Sequence, residues 1–180
     1  MTLRPPITHD EALFRATTAL ETSVPVGARS IRLAPAVTIS TDAFAVDDAL
    51  TPLTELVGAV RIAGGSGRIV KTMLFDKLPG SSVQFEVFFF SAAVTAPASN
   101  AEMAYSDADM LKCLGSILLT NSTTIGKTGS VTGRLWRSSE PLSFQAESDK
   151  TSIWYQVILR AGTPTYGGSD IVPWFQIEQD

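Results

Sequence analysis

Short apolar runs separated by turn-forming residues recur along the whole of this 180-residue chain. The residues between the runs are mostly Gly, Pro, Ser, Thr and Asn, and several runs alternate polar with apolar residues, as 30–33 and 37–40 do. Alternate side chains of a strand lie on one face, so such runs can pack one face on a core. This rhythm predicts an all-β protein, a β-sandwich of about eight to ten strands.

Two runs carry the strongest strand pattern, 83–90 and 153–159. Each places alternate apolar residues on one face, so we expect the two sets to meet in one core. The expected core residues are Phe85, Val87, Phe89, Tyr155, Val157 and Leu159.

Two further patterns predict how strands are arranged. Residues 56–62 and 68–75 flank the glycine cluster 64–67, which predicts a hairpin with a glycine-rich turn. The last run, 171–177, contains Pro173, and proline cannot donate to a sheet ladder. We therefore expect that strand at a sheet edge.

One helix is predicted, at residues 107–114. Ser106 is followed three residues later by Asp109, which is a capping-box pattern, and Asp107 adds a second acid to the first turn. Cys113 would then lie near the helix end as a small buried hydrophobe.

Residues 1–20 are predicted to form an N-terminal arm ahead of a single β-sandwich domain at 21–180. The arm carries Leu13, Phe14 and Leu20. These side chains either reach a neighbouring molecule or cover one end of the chain's own sandwich, and the sequence leaves both open.

Charge and cysteine content exclude several classes of function. The net charge is −4 and no stretch of Lys and Arg forms a basic stripe, which argues against nucleic-acid binding. Cys113 is the single cysteine, as expected for a protein made in a reducing cytoplasm. The N-terminal residues lack the apolar core of a signal peptide, and the longest apolar runs are too short to cross a bilayer, so we expect no membrane partner.

Short motifs that suggest chemistry have simpler interpretations. Residues 124–128 end like a phosphate-binding loop, but Asn121 stands where that motif needs glycine. The glycine cluster 64–67 fits a turn, and Asn121–Thr123 matches a glycosylation acceptor only in a secreted chain.

The candidate acids and nucleophiles are equally weak. Asp107 and Asp109 fit helix capping, and Asp47 with Asp48 fits a turn without the spacing of a calcium loop. His9, the single histidine, lies in the arm. The sequence therefore predicts no catalytic residue, no cofactor and no metal site.

The tryptophans are the remaining candidates for a binding surface. Trp154 and Trp174 oppose the main apolar set of their own strands, and Trp136 lies in another predicted strand. They either cap the sandwich or act as partly exposed anchors for a partner.

Four stretches, in this order along residues 56–180, resemble a family of small virion proteins from tailed phages. They are the glycine-rich hairpin with the strand ending in Phe75-Asp76-Lys77, the strand 84–90, residues 106–109 leading into 113–115, and residues 163–170 with the closing strand to Asp180. The family is similar to the jelly-roll cement (decoration) proteins of short-tailed phages.

The resemblance implies a jelly-roll sandwich without cofactor, on the outer capsid surface of a virion. Its partners would be the major capsid protein and copies of itself. Leu13, Phe14, Leu20, Trp154 and Trp174 are then the candidate interface residues. A head fibre base, a tail protein or a carbohydrate-binding module on the same fold stays open, whereas a cupin-type enzyme would need a cluster of histidines.

Overall fold

The structure, a computed structural model, describes residues 29–78, 82–125 and 133–180. These ranges contain ten strands and one short helix. In chain order the elements are β1 (Arg29–Leu33), β2 (Thr54–Leu56), β3 (Ser66–Asp76), β4 (Gln84–Phe90), α1 (Asp107–Met110), β5 (Cys113–Leu119), β6 (Asn121–Ile125), β7 (Gly133–Ser138), β8 (Leu142–Gln145), β9 (Ile153–Ala161) and β10 (Ile171–Gln179).

The strands form two antiparallel sheets packed face to face. The six-stranded sheet has the order β1-β10-β3-β7-β6, and β8 pairs with the first part of β3. The four-stranded sheet has the order β2-β9-β4-β5. The predicted all-β sandwich is therefore confirmed.

The strands pair in a nested order that defines a jelly roll. β1 pairs with β10, β2 with β9, β3 with β7 and β8, and β4 with β5. The first four strands alternate between the two sheets. This is the double Greek-key winding of a jelly-roll sandwich.

The core lies between the sheets and is built from the alternating faces of β4, β9 and β10. Phe85, Val87 and Phe89 of β4 are buried, and so are Tyr155, Val157 and Leu159 of β9, as predicted. Phe175 of β10 meets this set from the other sheet, with its ring edge-on to Phe89 at 5.5 Å and to Tyr155 at 4.7 Å. Alternate apolar residues on facing strands thus fill one contiguous core.

The predicted hairpin of 56–62 and 68–75 is wrong. β2 ends at Leu56 and pairs with β9, whereas β3 belongs to the opposite sheet. Between them the chain turns at Gly58, where φ is +73°, and crosses from one sheet to the other. The apolar residues of this crossover point both ways: Val60 is buried and Ile62 is 69% exposed.

Two other local predictions need correction. The helix ends at Met110, and Cys113 opens strand β5 as a half-buried residue. Ser106 caps the helix as predicted, because its hydroxyl accepts from the Asp109 amide at 3.1 Å. Residues 37–40 keep alternating burial but form no regular strand.

The strand that contains Pro173 is not at a sheet edge. β10 lies between β1 and β3. However, β1 pairs only with residues 175–179 of β10, so Pro173 lies beyond the stretch that β1 covers. The proline is tolerated because this side of β10 is locally unpaired among the described residues.

Candidate partner-binding surface

An apolar patch crosses four strands on the outer face of the six-stranded sheet. Residues directly opposite each other in an antiparallel pair share a face. Val172 of β10 lies opposite Phe75 of β3, which lies opposite Leu135 of β7. In the same way Trp174 lies opposite Met73. With Ile125 at the end of β6, the apolar patch consists of Met73, Phe75, Ile125, Leu135, Val172 and Trp174, all half-buried or exposed.

A glycine beneath the patch allows Phe75 to lie flat on the sheet. Gly133 of β7 pairs with Ile125 and lies two residues from Leu135 on the same face. A Cβ built at Gly133 would overlap the Phe75 ring. The ring therefore covers the glycine, which is a known way to protect a glycine within a sheet and keeps this face smooth.

Three cations lie along one side of the patch. Arg32 stacks on the Trp174 ring, with its guanidinium carbon 4.4 Å from the ring centroid. Arg137 lies opposite Met73, and Lys71 lies opposite Gln176, on the same outer face. Within the described part of the chain, none of these three cations forms an ion pair, so the face combines apolar area with unpaired positive charge.

Trp154 lies on the outer face of the opposite sheet. It is half-buried and sits between Glu55 of β2 and Phe90 of β4. The prediction that Trp154 and Trp174 oppose the apolar faces of their strands is therefore confirmed, because Tyr155 and Phe175 beside them point into the core. The two tryptophans lie on opposite sides of the sandwich, so one flat partner cannot contact both.

Residues 91–112, here called the cover, pack on the outer face of the four-stranded sheet. Tyr105 of the cover packs against Phe88 and Phe90 of β4 with its ring tilted to theirs, at 6.1 and 5.2 Å between ring centroids. Its hydroxyl donates to Gln156 Oε1 at 2.5 Å, and burial raises the pKa of Tyr105 above its ordinary range. Gln156 in turn donates to the Pro97 carbonyl at 2.8 Å.

Charged groups hold the edge of the cover in place. Arg160 of β9 is bound by the carboxylates of Asp47 and Glu86, at 2.5 and 2.7 Å. Burial opposes the charge of this guanidinium, but the two carboxylates outweigh it and raise the pKa of Arg160. Asp47 accepts this bond and its carbonyl accepts from the Met103 amide, so the acidic turn has a structural role.

The cover also carries exposed apolar side chains. Met110, the last residue of α1, is 42% exposed, and Leu111, which follows it, is 90% exposed. Exposed acids, Glu102 and Asp107, lie in the same segment. This cover surface, residues 102–111, is thus apolar and acidic, whereas the patch on the other sheet is apolar and basic.

Trp136 belongs to the core, because it is buried and packs edge-on against Phe85 at 5.4 Å. Trp136 is therefore not available to stack on a sugar ring. Trp174 borders an open depression of about 290 Å³ that Ser30, Arg32 and Gln176 also line. Its ring face, however, is occupied by the Arg32 guanidinium, which disfavours the carbohydrate interpretation.

The remaining motif residues have local structural partners. Asp109 accepts a hydrogen bond from the Ser106 hydroxyl at 2.7 Å, and this bond lowers the pKa of Asp109. Asp48 accepts from the Ala45 amide at 2.6 Å. Gly64 has a φ of +72°, which fits the turn predicted for the glycine cluster. Asn121–Ile125 forms strand β6, and residues 126–128 of the phosphate-loop motif lie outside the described residues.

Four candidates lie outside the described residues as well: His9, Leu13, Phe14 and Leu20. Their predicted roles stay predictions.

Sequence reasoning found Trp174 but missed its neighbours in the patch. Phe75, Leu135 and Val172 come from three different strands and lie 37 or more positions apart in the sequence, so no local motif unites them. A weak signal was present in β10, where residues 171–175 are apolar on both faces. A two-faced apolar strand in a two-layer sandwich indicates that its outer face has a partner.

No group of three or more His, Cys, Asp or Glu residues is arranged to hold a metal ion within the described ranges. In the same ranges, no helix is long and apolar enough to cross a membrane. Comparison with family models gave no match, and comparison with curated proteins gave none either.

Proposed function

We propose that this chain is a non-enzymatic structural protein of a tailed-phage virion, a cement protein that lies on the outer capsid surface and ties neighbouring major-capsid subunits together. The observation that carries the proposal is the apolar patch, a surface across four strands with unpaired cations along one side. Large contiguous apolar areas on a sheet face are typical of protein-binding surfaces.

A second surface supports a bridging role. Met110 and Leu111 expose apolar side chains on the cover, on the far side of the sandwich from the patch. A protein that joins subunits needs contacts in more than one direction. The patch and the cover surface supply two, with opposite charge character.

Lattice geometry explains why modest surfaces suffice for this role. Copies that bind a repeating shell engage many identical contacts at once, and linked contacts give avidity well above that of one contact. The jelly-roll fold agrees with the expected family, since this fold is common among viral capsid proteins. Fold alone does not separate capsid, fibre and tail components, so position in the particle is the decisive property.

Immunogold labelling of purified virions tests the proposal. Antibodies against the recombinant chain should label the whole head surface of intact particles. Label confined to vertices would indicate a head fibre base, and label on the tail would indicate a tail protein. Absence of label and of the chain from intact particles would contradict any virion role.

A further inference from the structure

Strand β6 is an edge strand that extends beyond the packed sandwich. It pairs with β7 on one side, and no described residue pairs with its other side. All five of its residues are exposed, so both faces of the strand are exposed. Ser122 and Thr124 point to the side where the other strands of this sheet bury a core face, yet neither is buried.

β6 also lacks the devices that normally block edge-to-edge pairing. Such devices are charges, prolines, bulges and very short length. β6 reads Asn-Ser-Thr-Thr-Ile, with no charge and no proline, and its pairing with β7 is regular over all five residues. Each of the other edges has at least one such device. β1 carries Arg29 and Arg32, and β2 has three residues including Glu55. β5 contains a register shift opposite Phe89 and Phe90, and β8, which pairs only with β3 among the described strands, has four residues.

We propose that β6 pairs with β6 of a second copy of this chain, antiparallel and about a two-fold axis at Thr123. In this register Thr123 faces the partner's Thr123, and Ser122 faces the partner's Thr124. Hydroxyl residues of this kind form favourable cross-strand pairs, and no like charges meet. Two-fold pairing of one surface with itself is the commonest way for a soluble chain to form an oligomer.

The pairing joins two six-stranded sheets into one and places both apolar patches on the same side. A two-fold axis perpendicular to a sheet keeps the outer faces of both halves facing one way. Phe75, Leu135 and Thr123 lie in one row across β3, β7 and β6, so the row continues directly into the second copy. A dimer of this form presents two identical patches to one partner surface, which deepens the proposed function because two linked contacts raise avidity.

A charge-swap experiment on the full-length chain in solution tests this pairing without any capsid. Wild type should sediment as a dimer in analytical ultracentrifugation. Thr123→Lys and Thr123→Asp should each sediment as a monomer, because the substitution places two like charges at the axis. An equimolar mixture of the two variants should recover a dimer with one copy of each. Ser143→Asp, an exposed position on β8, is the matched control and should stay dimeric.

Two single-cysteine variants of β6 distinguish loss of the contact between copies from loss of the fold. In a Cys113→Ala background, Thr123→Cys should cross-link two copies under mild oxidation, since residues facing each other across an antiparallel pair lie within disulfide reach. Ser122→Cys, on the other face and off the axis, should not cross-link. In sedimentation, the β6 pairing would be overturned by a monomeric wild type, by dimeric charge variants, or by a mixture that stays monomeric. In cross-linking, it would be overturned by equal cross-linking at both positions. Because capsids are absent from these experiments, failure here leaves the capsid proposal standing.

Discussion

Aromatic residues divide between the core and the outer faces according to their position in each strand. Phe89 and Phe175 point between the sheets and are fully buried, whereas Trp174, one residue before Phe175, points outward. The same alternation places Tyr105 of the cover on the outward residues Phe88 and Phe90. One strand of this protein therefore contributes to the core and to the proposed binding surface at once.

Phe89→Ala tests the core assignment. The ring is fully buried and meets Phe175 edge-on, so its removal leaves a cavity between the sheets. We expect the free energy of unfolding to fall by about 3–5 kcal/mol. Urea denaturation measures the loss, with Val57→Ala, at a 68% exposed side chain, as the control. A loss of less than about 0.5 kcal/mol, the range of surface substitutions, would place Phe89 outside the core.

Asp109→Asn tests the capping interaction through its pH dependence. The hydrogen bond from Ser106 lowers the pKa of Asp109 in the folded chain below its ordinary value. The ionised carboxylate therefore stabilises the fold above the ordinary pKa, and this contribution is lost as pH falls through the folded value. The difference in the free energy of unfolding between wild type and variant should be largest near neutral pH and should shrink as the pH falls into the acid range. A difference that stays constant from neutral to acid would show that the charge has no role.

At the scale of elements, the cover is the segment with the least regular secondary structure. It forms one short helix and otherwise irregular chain, held by Tyr105, Gln156 and the Arg160 ion pairs. Such a segment can open without the two sheets separating, because it contributes no strand to either sheet.

Tyr105→Ala should loosen the cover selectively. The substitution removes the ring contacts with Phe88 and Phe90 and the bond to Gln156. Amide hydrogen exchange should accelerate within residues 91–112, while β3 and β10 of the opposite sheet keep their slow exchange. Acceleration spread evenly over both sheets would mean that the cover unfolds only with the whole domain.

The strands with one apolar face could be predicted from the sequence, but the strands with which they pair could not. Alternation marks β4 and β9 and their inward residues correctly, because the side-chain period of a strand is a local property. Pairing of β2 with β9, or β1 with β10, joins residues about 100 or more positions apart. The prediction of a strand at 56–62 is wrong because a crossover between sheets can be as apolar as a strand when it passes through the core.

The candidate binding surface could be predicted only in part, for the same reason. Trp174 stands out because it breaks the pattern of its own strand. Phe75 and Leu135 look like core residues in sequence, and only the register of β3, β7 and β10 brings them to one outer face. The Arg32 contact with Trp174 depends on the first and last strands lying side by side.

In the whole molecule, the two outer sides of the sandwich differ in chemistry. One side carries the apolar patch with Arg32, Lys71 and Arg137, and the other carries the cover surface with Glu102 and Asp107. Opposite charge on opposite sides allows a chain to bind different partners, or the same lattice in one orientation.

Binding of patch variants to capsids tests the central claim most directly. Virions stripped of this chain would be incubated with wild type, with Val172→Asp in the patch, or with Ile62→Asp, which alters an exposed apolar residue outside both surfaces. Bound protein is then measured after sedimentation of the particles. Wild type and Ile62→Asp should saturate the capsids equally, whereas Val172→Asp should lose most of its binding, because a desolvated charge within an interface is strongly unfavourable. Equal binding by all three proteins, or no binding by wild type, would contradict the account.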